Sequence, residues 1–254
     1  MGKIFLRKTS LVDYPGRVSA VFFLQGCNLR CPWCHNRELV AGGASGLVSL
    51  DAALAHLQKR QNVLRGVVLS GGEPCLQNEL PGIIREIKKL NLTVKLDTNG
   101  MFPAMLEKLF ITEETCPDYI ALDLKIAPAR YRELIIRDQK TALNHPSILK
   151  NKTNSSGSPT PGEELIQSAA LIRESGIEHE YRTLALPDNF ITEKDIEELA
   201  LLPDNAPWYF RPFKGGNCLD PAWNDREEPV RESRRKLKAL AAKARELGKN
   251  GMVD

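Results

Sequence analysis

The chain lacks a fourth cysteine placed to close a four-thiolate metal site. Six cysteines occur among 254 residues. Three fall in one stretch, Cys27-Asn28-Leu29-Arg30-Cys31-Pro32-Trp33-Cys34, while Cys75, Cys116 and Cys218 stand alone. Structural zinc sites usually add a second ligand pair at a distance and close at four ligands. No such pair is present, and His35 lies too near in sequence to serve easily as the fourth. A disulfide scaffold would be denser in cysteine. No apolar run approaches the length of a membrane span. Met1 to Gly16 has no apolar h-region, so no secretory signal is expected and the reading is cytoplasmic. Charge is balanced, 35 basic against 32 acidic residues and a net of +3, which leaves no general field for nucleic acid. The richest basic run, Arg231 to Arg245, is interleaved with Ala and Leu and reads as a solvated helix face. No Ser-His-Asp constellation suggests hydrolysis, and no internal repeat is visible.

What is present is organised around strand ends. Apolar runs alternate with helical patterns, which predicts βα units about a parallel sheet. Strands are expected at Val18 to Leu24, Gly66 to Leu69, Leu92 to Leu96, Tyr119 to Leu124, Glu180 to Leu186 and Trp208 to Phe213. Helices are expected from Ser49 to about Arg60, over 78–90, from Thr160 to about Ser175, and over 226–247 at the C-terminus. The polar, turn-rich stretch 144–160 reads as a mobile loop. The unusual residues follow the strands: the cysteines, then Gly71-Gly72-Glu73-Pro74, then Asp97-Thr98-Asn99-Gly100, then Asp123 and Lys125. Arg182 lies on the fifth strand, and Arg211 to Lys214 follow the sixth. In parallel sheets and barrels, that side collects ligands.

The C-x3-C-x2-C triplet offers three thiolates. A cubane iron–sulfur cluster takes four, one per iron, so three leave one iron without a protein ligand. Gly71 and Gly72 would let a ligand approach the backbone closely, with carbonyls free for an ammonium group and Glu73 fixing the turn. Arg182 and Lys125 offer donors for a carboxylate. The plainer readings are an ordinary tight turn for the glycines and a structural ion pair for Asp123 with Lys125.

The stretch Thr9-Ser10-Leu11-Val12-Asp13-Tyr14-Pro15-Gly16-Arg17, followed by Leu24-Gln25-Gly26-Cys27 and Cys34-His35-Asn36, resembles one known family. It is similar to the anaerobic ribonucleoside-triphosphate reductase activating proteins, among the radical S-adenosylmethionine (SAM) glycyl-radical-enzyme activases. The likeness runs from about residue 4 to about residue 220 and implies one radical SAM domain over 1–254, its core at about 16–215. The implied fold is α/β, a partial (β/α)6 barrel open at one side, with a C-terminal helix. The resemblance implies that Cys27, Cys31 and Cys34 bind one [4Fe–4S] cluster. Gly71, Gly72 and Glu73 would correspond to the motif at the amino end of SAM. Asn36, Asp97, Asp123, Lys125 and Arg182 would line the pocket, with Leu184 against adenine. The implied partners are a glycyl radical enzyme, anaerobic ribonucleotide reductase in the first place, and reduced flavodoxin or ferredoxin as electron donor, with no nucleic acid or membrane. Cys75 stands where a small residue is common and reads as packing. Lys214 stands where pyruvate formate-lyase activating enzymes use His. No cysteine-rich insert is present for further clusters. Two other classes stay open: a small-molecule enzyme like the 7-carboxy-7-deazaguanine synthases, and a non-catalytic iron–sulfur or zinc protein.

Overall fold

A computed structural model describes residues 3–41, 43–135 and 159–254. Most of the stretch read as a mobile loop, 144–158, lies outside the described residues. In chain order the strands are Lys3–Ser10 (β1), Ser19–Leu24 (β2), Val48–Ser49 (β3), Gly66–Gly71 (β4), Thr93–Thr98 (β5), Tyr119–Asp123 (β6), Glu178–Ala185 (β7), Trp208–Pro212 (β8) and Gly251–Val253 (β9). The helices are Arg37–Ala41 (α1), Leu50–Arg60 (α2), Leu80–Lys88 (α3), Pro103–Leu109 (α4), Pro161–Glu174 (α5), Glu193–Leu199 (α6) and Val230–Glu246 (α7).

The central strands β2, β4, β5, β6, β7 and β8 are parallel neighbours in that order. Their short apolar runs, such as SAVFFL in β2 and GVVLSG in β4, suit strands covered on both faces. Alternation divides them. Val67, Leu69, Val94 and Leu96 face the helical layer, where Leu80, Ile83, Ile84 and Ile87 of α3 are buried. The spacing of those four residues puts them on one helix face. Burying each such side chain contributes about 1.5–3 kcal/mol, so Ile84→Ala would cost about 2–5 kcal/mol. The opposite face carries a smaller apolar cluster of Tyr14, Val21, Val68 and Tyr119. Tyr14 packs on Tyr119 and sits where a Cβ on Gly66 would strike it at 2.9 Å. Gly66 begins β4, so the Asp13-Tyr14-Pro15 segment fills the N-terminal end of the sheet.

Among the described residues the order is β3-β1-β2-β4-β5-β6-β7-β8-β9, with β3 and β9 at the two ends and not paired with each other, so the α/β sheet is open. Three of the nine strands among the described residues were not anticipated. β1 runs antiparallel to β2. Its sequence KIFLRKTS is mostly exposed, so it shows no apolar run. β3 and β9 are two and three residues long, too short for any period to show. The C-terminal helix begins at Val230 rather than 226, with Pro229 as its cap residue. Proline disfavours helical backbone in the residue before it, which delays the start. At Thr160 the expected capping box forms, with both reciprocal hydrogen bonds to Glu163.

Candidate active site

The parallel strands end on one side, and a cavity of about 540 Å3 opens there. All the residues singled out from the sequence line it: Cys27, Cys31, Cys34, Asn36, Gly71, Gly72, Glu73, Asp97, Asp123, Lys125, Arg182 and Leu184. Lys214 lines it too, whereas Cys75 is buried beside Glu73 and turned to packing.

The glycines are required for a reason other than ligand approach. Gly71 has φ +119°, and a Cβ there would stand 2.4 Å from the backbone of Leu24. At Gly72 a Cβ would meet the Gly26 carbonyl oxygen at 1.9 Å. The turn after β4 is pressed against the end of β2, where the cysteine loop begins. Hydrogen bonds lock this contact: Gly72 N–H donates to Leu24 O and Glu73 N–H to Gly26 O, both at 2.8 Å. From the loop side, Asn36 Nδ2 donates to Gly71 O at 2.8 Å. The Gly71 carbonyl, expected to be free, already has one donor.

Glu73 is buried, and its carboxylate is committed within the protein. It accepts from Cys75 N–H at 2.9 Å, Thr98 Oγ1 at 2.8 Å and Asn99 N–H at 2.8 Å. The side chain therefore ties the β4 turn to the end of β5. Burial pushes its pKa up, and the three donors oppose that shift.

A balanced ion network crosses β5, β6 and β7. Arg182 Nε donates to Asp123 Oδ1 at 2.8 Å, and Lys125 Nζ donates to Asp123 Oδ2 at 3.2 Å. Arg182 Nη1 also stands 3.3 Å from Asp97 Oδ1. Deeper in, Lys95 reaches Asp97 at 3.3 Å and Glu180 at 3.5 Å, and donates to Asp13 O at 2.8 Å. Burial opposes ionisation of Asp123, but Arg182 and Lys125 outweigh it and hold the carboxyl well below its usual range. Lys125 is shifted up: burial works against its charge, and Asp123 prevails. Arg182 and Lys125 were read as donors for a ligand carboxylate, with an Asp123–Lys125 ion pair as the plainer alternative, and that ion pair is present. Both already serve Asp123, and the pairing offsets the cost of their partial burial. Asp97 Oδ1 and Glu180 Oε1 have ionic neighbours yet no well-directed hydrogen bond, so acceptor capacity remains beside the cavity.

Cys27 and Cys31 are buried and Cys34 is partly exposed. Burial pushes the Cys27 thiol well up, with Glu73 adding to the shift. Cys31 is pushed up to about 12, burial again leading, against the pull of the Lys125 charge. Metal binding at these thiols therefore releases protons. Among the described residues, no group of three His, Cys, Asp or Glu side chains is gathered to hold a single ion. Cys27, Cys31 and Cys34 line one cavity, and as three thiols that would each bind a different iron they fit a cubane. Cys27 Sγ also receives the Leu29 N–H at 3.4 Å.

Several site residues escaped the sequence reading. Arg7, Asp13 and Phe23 line the cavity, and Asn99, named from the sequence only as part of a strand end, donates to Asn28 across the cysteine loop at 2.9 Å. Lys95 had a usable signal: a lysine inside an apolar strand, two residues before Asp97 and so on its face. The aromatic packing of Trp33 with Phe190 and Trp223, both at 5.3 Å between ring centroids, had none, because its members lie far apart in sequence.

Comparison with known proteins agrees with this architecture. Residues 21–202 match the model of the radical SAM superfamily. Over 242 residues, 92% of this chain and 89% of the relative, the sequence is 28% identical to a Methanocaldococcus jannaschii protein named as a glycyl-radical enzyme activating enzyme. It is 35% identical over 133 residues to the pyruvate formate-lyase-activating enzyme of Clostridium pasteurianum, covering 49% of this chain and 53% of that one. It is 38% identical over 95 residues to a 7-carboxy-7-deazaguanine synthase of Hyperthermus butylicus, covering 36% of this chain and 38% of that one. Among solved structures, Streptococcus suis SuiB bound to S-adenosylmethionine aligns with a TM-score of 0.62 at 14% identity, a likeness of fold. That alignment covers 92% of this chain and 49% of SuiB, so the chain spans about half of that structure's length. The family match runs from β2 through the cysteine loop and past α6, across every strand end that builds the cavity except that of β8: this chain belongs to the radical SAM superfamily.

Proposed function

We propose that this chain is a glycyl-radical-enzyme activase: it cleaves S-adenosylmethionine reductively and installs a glycyl radical on a partner enzyme. The partner proposed is anaerobic ribonucleoside-triphosphate reductase, with reduced flavodoxin or ferredoxin as donor, in the cytoplasm. The observation that carries the reading is the meeting of the three-thiol loop with the polar strand ends in one cavity. Likeness to an activating enzyme over nearly the whole chain supports it. The chain would act as one domain, its sheet running from Lys3 to Val253.

Cys27, Cys31 and Cys34 would hold one [4Fe–4S] cluster, leaving one iron without a protein ligand. The chemistry supplied by that group when bound is one-electron reduction of the SAM sulfonium, whose adenosyl fragment would take a glycine α-hydrogen from the partner. The chain's own residues position and shield. Gly71 and Gly72 set the turn against the cysteine loop, and Glu73 anchors it to β5. Lys125 places a positive charge that favours the Cys31 thiolate. Asn36, Asp97, Asp123 and Arg182 would surround SAM, and Leu184 would pack on its adenine. The network stays near neutral, so the zwitterionic amino-acid end of SAM can enter without leaving a buried charge unpaired. No acid–base pair is required.

The test is anaerobic reconstitution, reduction, and addition of SAM with the partner reductase. A glycyl-radical EPR doublet together with 5′-deoxyadenosine is expected. A fully loaded protein that produces neither would overturn the reading. The likeness to a 7-carboxy-7-deazaguanine synthase favours a second reading, a small-molecule enzyme. Turnover of a small substrate with no partner protein would decide for it.

A further inference from the structure

We propose that the exposed face of α7 docks an acidic one-electron donor protein, and that Trp223 and Trp33 conduct its electron to the cysteine loop. The inference rests on the reading above, in which the site consumes one electron per cleavage.

The charge distribution starts the argument. α7 reads VRESRRKLKALAAKARE, seven basic residues against two acidic ones. The whole chain nets only +3, so this helix is the positive pole of an otherwise slightly acidic protein. Leu237, Leu240, Ala241 and Ala244 face the core. Arg231, Arg234, Arg235 and Lys238 are exposed, and their spacing of three, four and seven residues puts them on one face over about 10 Å. The helix's ion pairs involve Lys236, which pairs with Glu228, and Lys243, which pairs with Glu193 and Glu197. The four exposed cations have none among the described residues.

This arrangement works against the helix. Like charges at these spacings repel, and cations in the first turns oppose the macrodipole. A merely solvated face would gain from having its basic residues at the other end. Val230, at the top of the stripe, is 70% exposed. An apolar residue beside the cations, with no exposed aromatic ring in the stripe for base stacking, favours a protein over a nucleic acid.

The stripe leads to the site. Residues 213–223, upstream of α7, lie on the cysteine loop: Asp220 N–H donates to Pro32 O at 2.9 Å, and His35 Nε2 is 2.7 Å from Lys214 O. Arg226, four residues before Val230, stands 5.0 Å over the Trp223 ring. Trp223 is 5.3 Å from Trp33, and Trp33 lies between Cys31 and Cys34 in the chain. Acids are few at this end. Glu227 caps the Gly215 N–H, Glu228 is held by Lys236 and Asp220 caps the Ala222 N–H, which leaves Asp225 and, in the first turn of α7, Glu232 against the four cations. One electron leaves the reduced donor, which is oxidised by one. It arrives at the metal group held by the cysteines, and no bond or proton changes.

The test uses the reconstituted full chain and flavodoxin as the acidic probe. Calorimetry in low salt should show the triple variant Arg231→Glu, Arg235→Glu, Lys238→Glu binding at least about tenfold more weakly, with the salt dependence of the wild type lost. Stopped-flow reduction by flavodoxin hydroquinone should slow in step, while reduction by dithionite stays unchanged. Trp223→Leu should keep the binding and lose the rate. Equal binding of flavodoxin by wild type and triple variant would overturn the proposal. So would equal slowing with both reductants, or tighter binding of duplex DNA than of flavodoxin. If flavodoxin docks on the stripe and reduces the protein but no 5′-deoxyadenosine forms, the docking stands and the functional reading falls.

Discussion

Substituting Gly72 by alanine tests the inferred reason for the glycine pair. The added Cβ would lie 1.9 Å from the Gly26 carbonyl oxygen and 2.6 Å from its carbon. Neither is the end of a flexible side chain. The oxygen is held by the Glu73 N–H at 2.8 Å, and Cys27 is the next residue. Relief requires the β2 end and the β4 turn to part by more than an ångström, which strains that hydrogen bond and displaces the cysteine loop. Overpacking costs about 1–3 kcal/mol where side chains can yield. With backbone on both sides, about 3 kcal/mol is expected, or a fall in Tm of about 6–12 °C for a chain of this size. The assay is thermal unfolding of the metal-free protein by circular dichroism, followed by iron and sulfide counts after reconstitution. Gly72→Ala should melt early and take up less iron. If it melts within about 2 °C of wild type and loads fully, the close-packing account is wrong and ligand approach is the better reason.

Gly82→Ala is the matched control: its Cβ would meet nothing within 4 Å inside α3, so Tm should rise, by about 0.5–1 kcal/mol of stability. Cys31→Ala should lose cluster assembly and SAM cleavage while keeping the far-ultraviolet dichroism of wild type, and cleavage by this variant would sink the cysteine assignment. Asp123→Asn leaves Arg182 and Lys125 facing a neutral amide, and breaking such a pair costs about 3–5 kcal/mol when fully buried. These side chains keep some solvent access, 29% for Asp123, so about 2 kcal/mol is expected in denaturant titrations at pH 7. The native carboxyl is depressed, so its contribution is present above the ordinary aspartate range near ~4 and fades as pH falls through the lower native value. The gap between wild type and Asp123→Asn should therefore narrow in acid, and a gap that widens there would contradict the ion-pair account.

Much of this was legible in the sequence because strand-end residues carry their own local signals. The cysteine spacing, the glycine pair and Asp123-Leu124-Lys125 each follow an apolar run, so their convergence in one cavity could be anticipated from a parallel sheet. Partners chosen across the sheet were not legible. Glu73 was read as fixing its own turn, yet two of its three donors come from Thr98 and Asn99 at the end of the next strand. Arg182 was read as a ligand donor, yet it spends its Nε–H on Asp123 of the neighbouring strand. The β1 strand was missed because Lys3, Arg7 and Lys8 mask its alternation, and next to the two-residue end strand β3 it stays mostly exposed. The glycine pair lines the cavity and also packs on the cysteine loop, which the sequence could not separate: a close approach of backbone to backbone leaves the same trace in sequence as a close approach to a ligand.

The most direct measurement follows the hydrogen atom. The partner reductase would be prepared with glycine deuterated at the α-carbon and mixed anaerobically with the reduced, reconstituted chain and unlabelled SAM. 5′-Deoxyadenosine would then be collected for mass spectrometry. The account predicts that the product carries one deuterium and that its amount tracks the glycyl-radical doublet. Unlabelled 5′-deoxyadenosine in the presence of that doublet would contradict direct abstraction at this site.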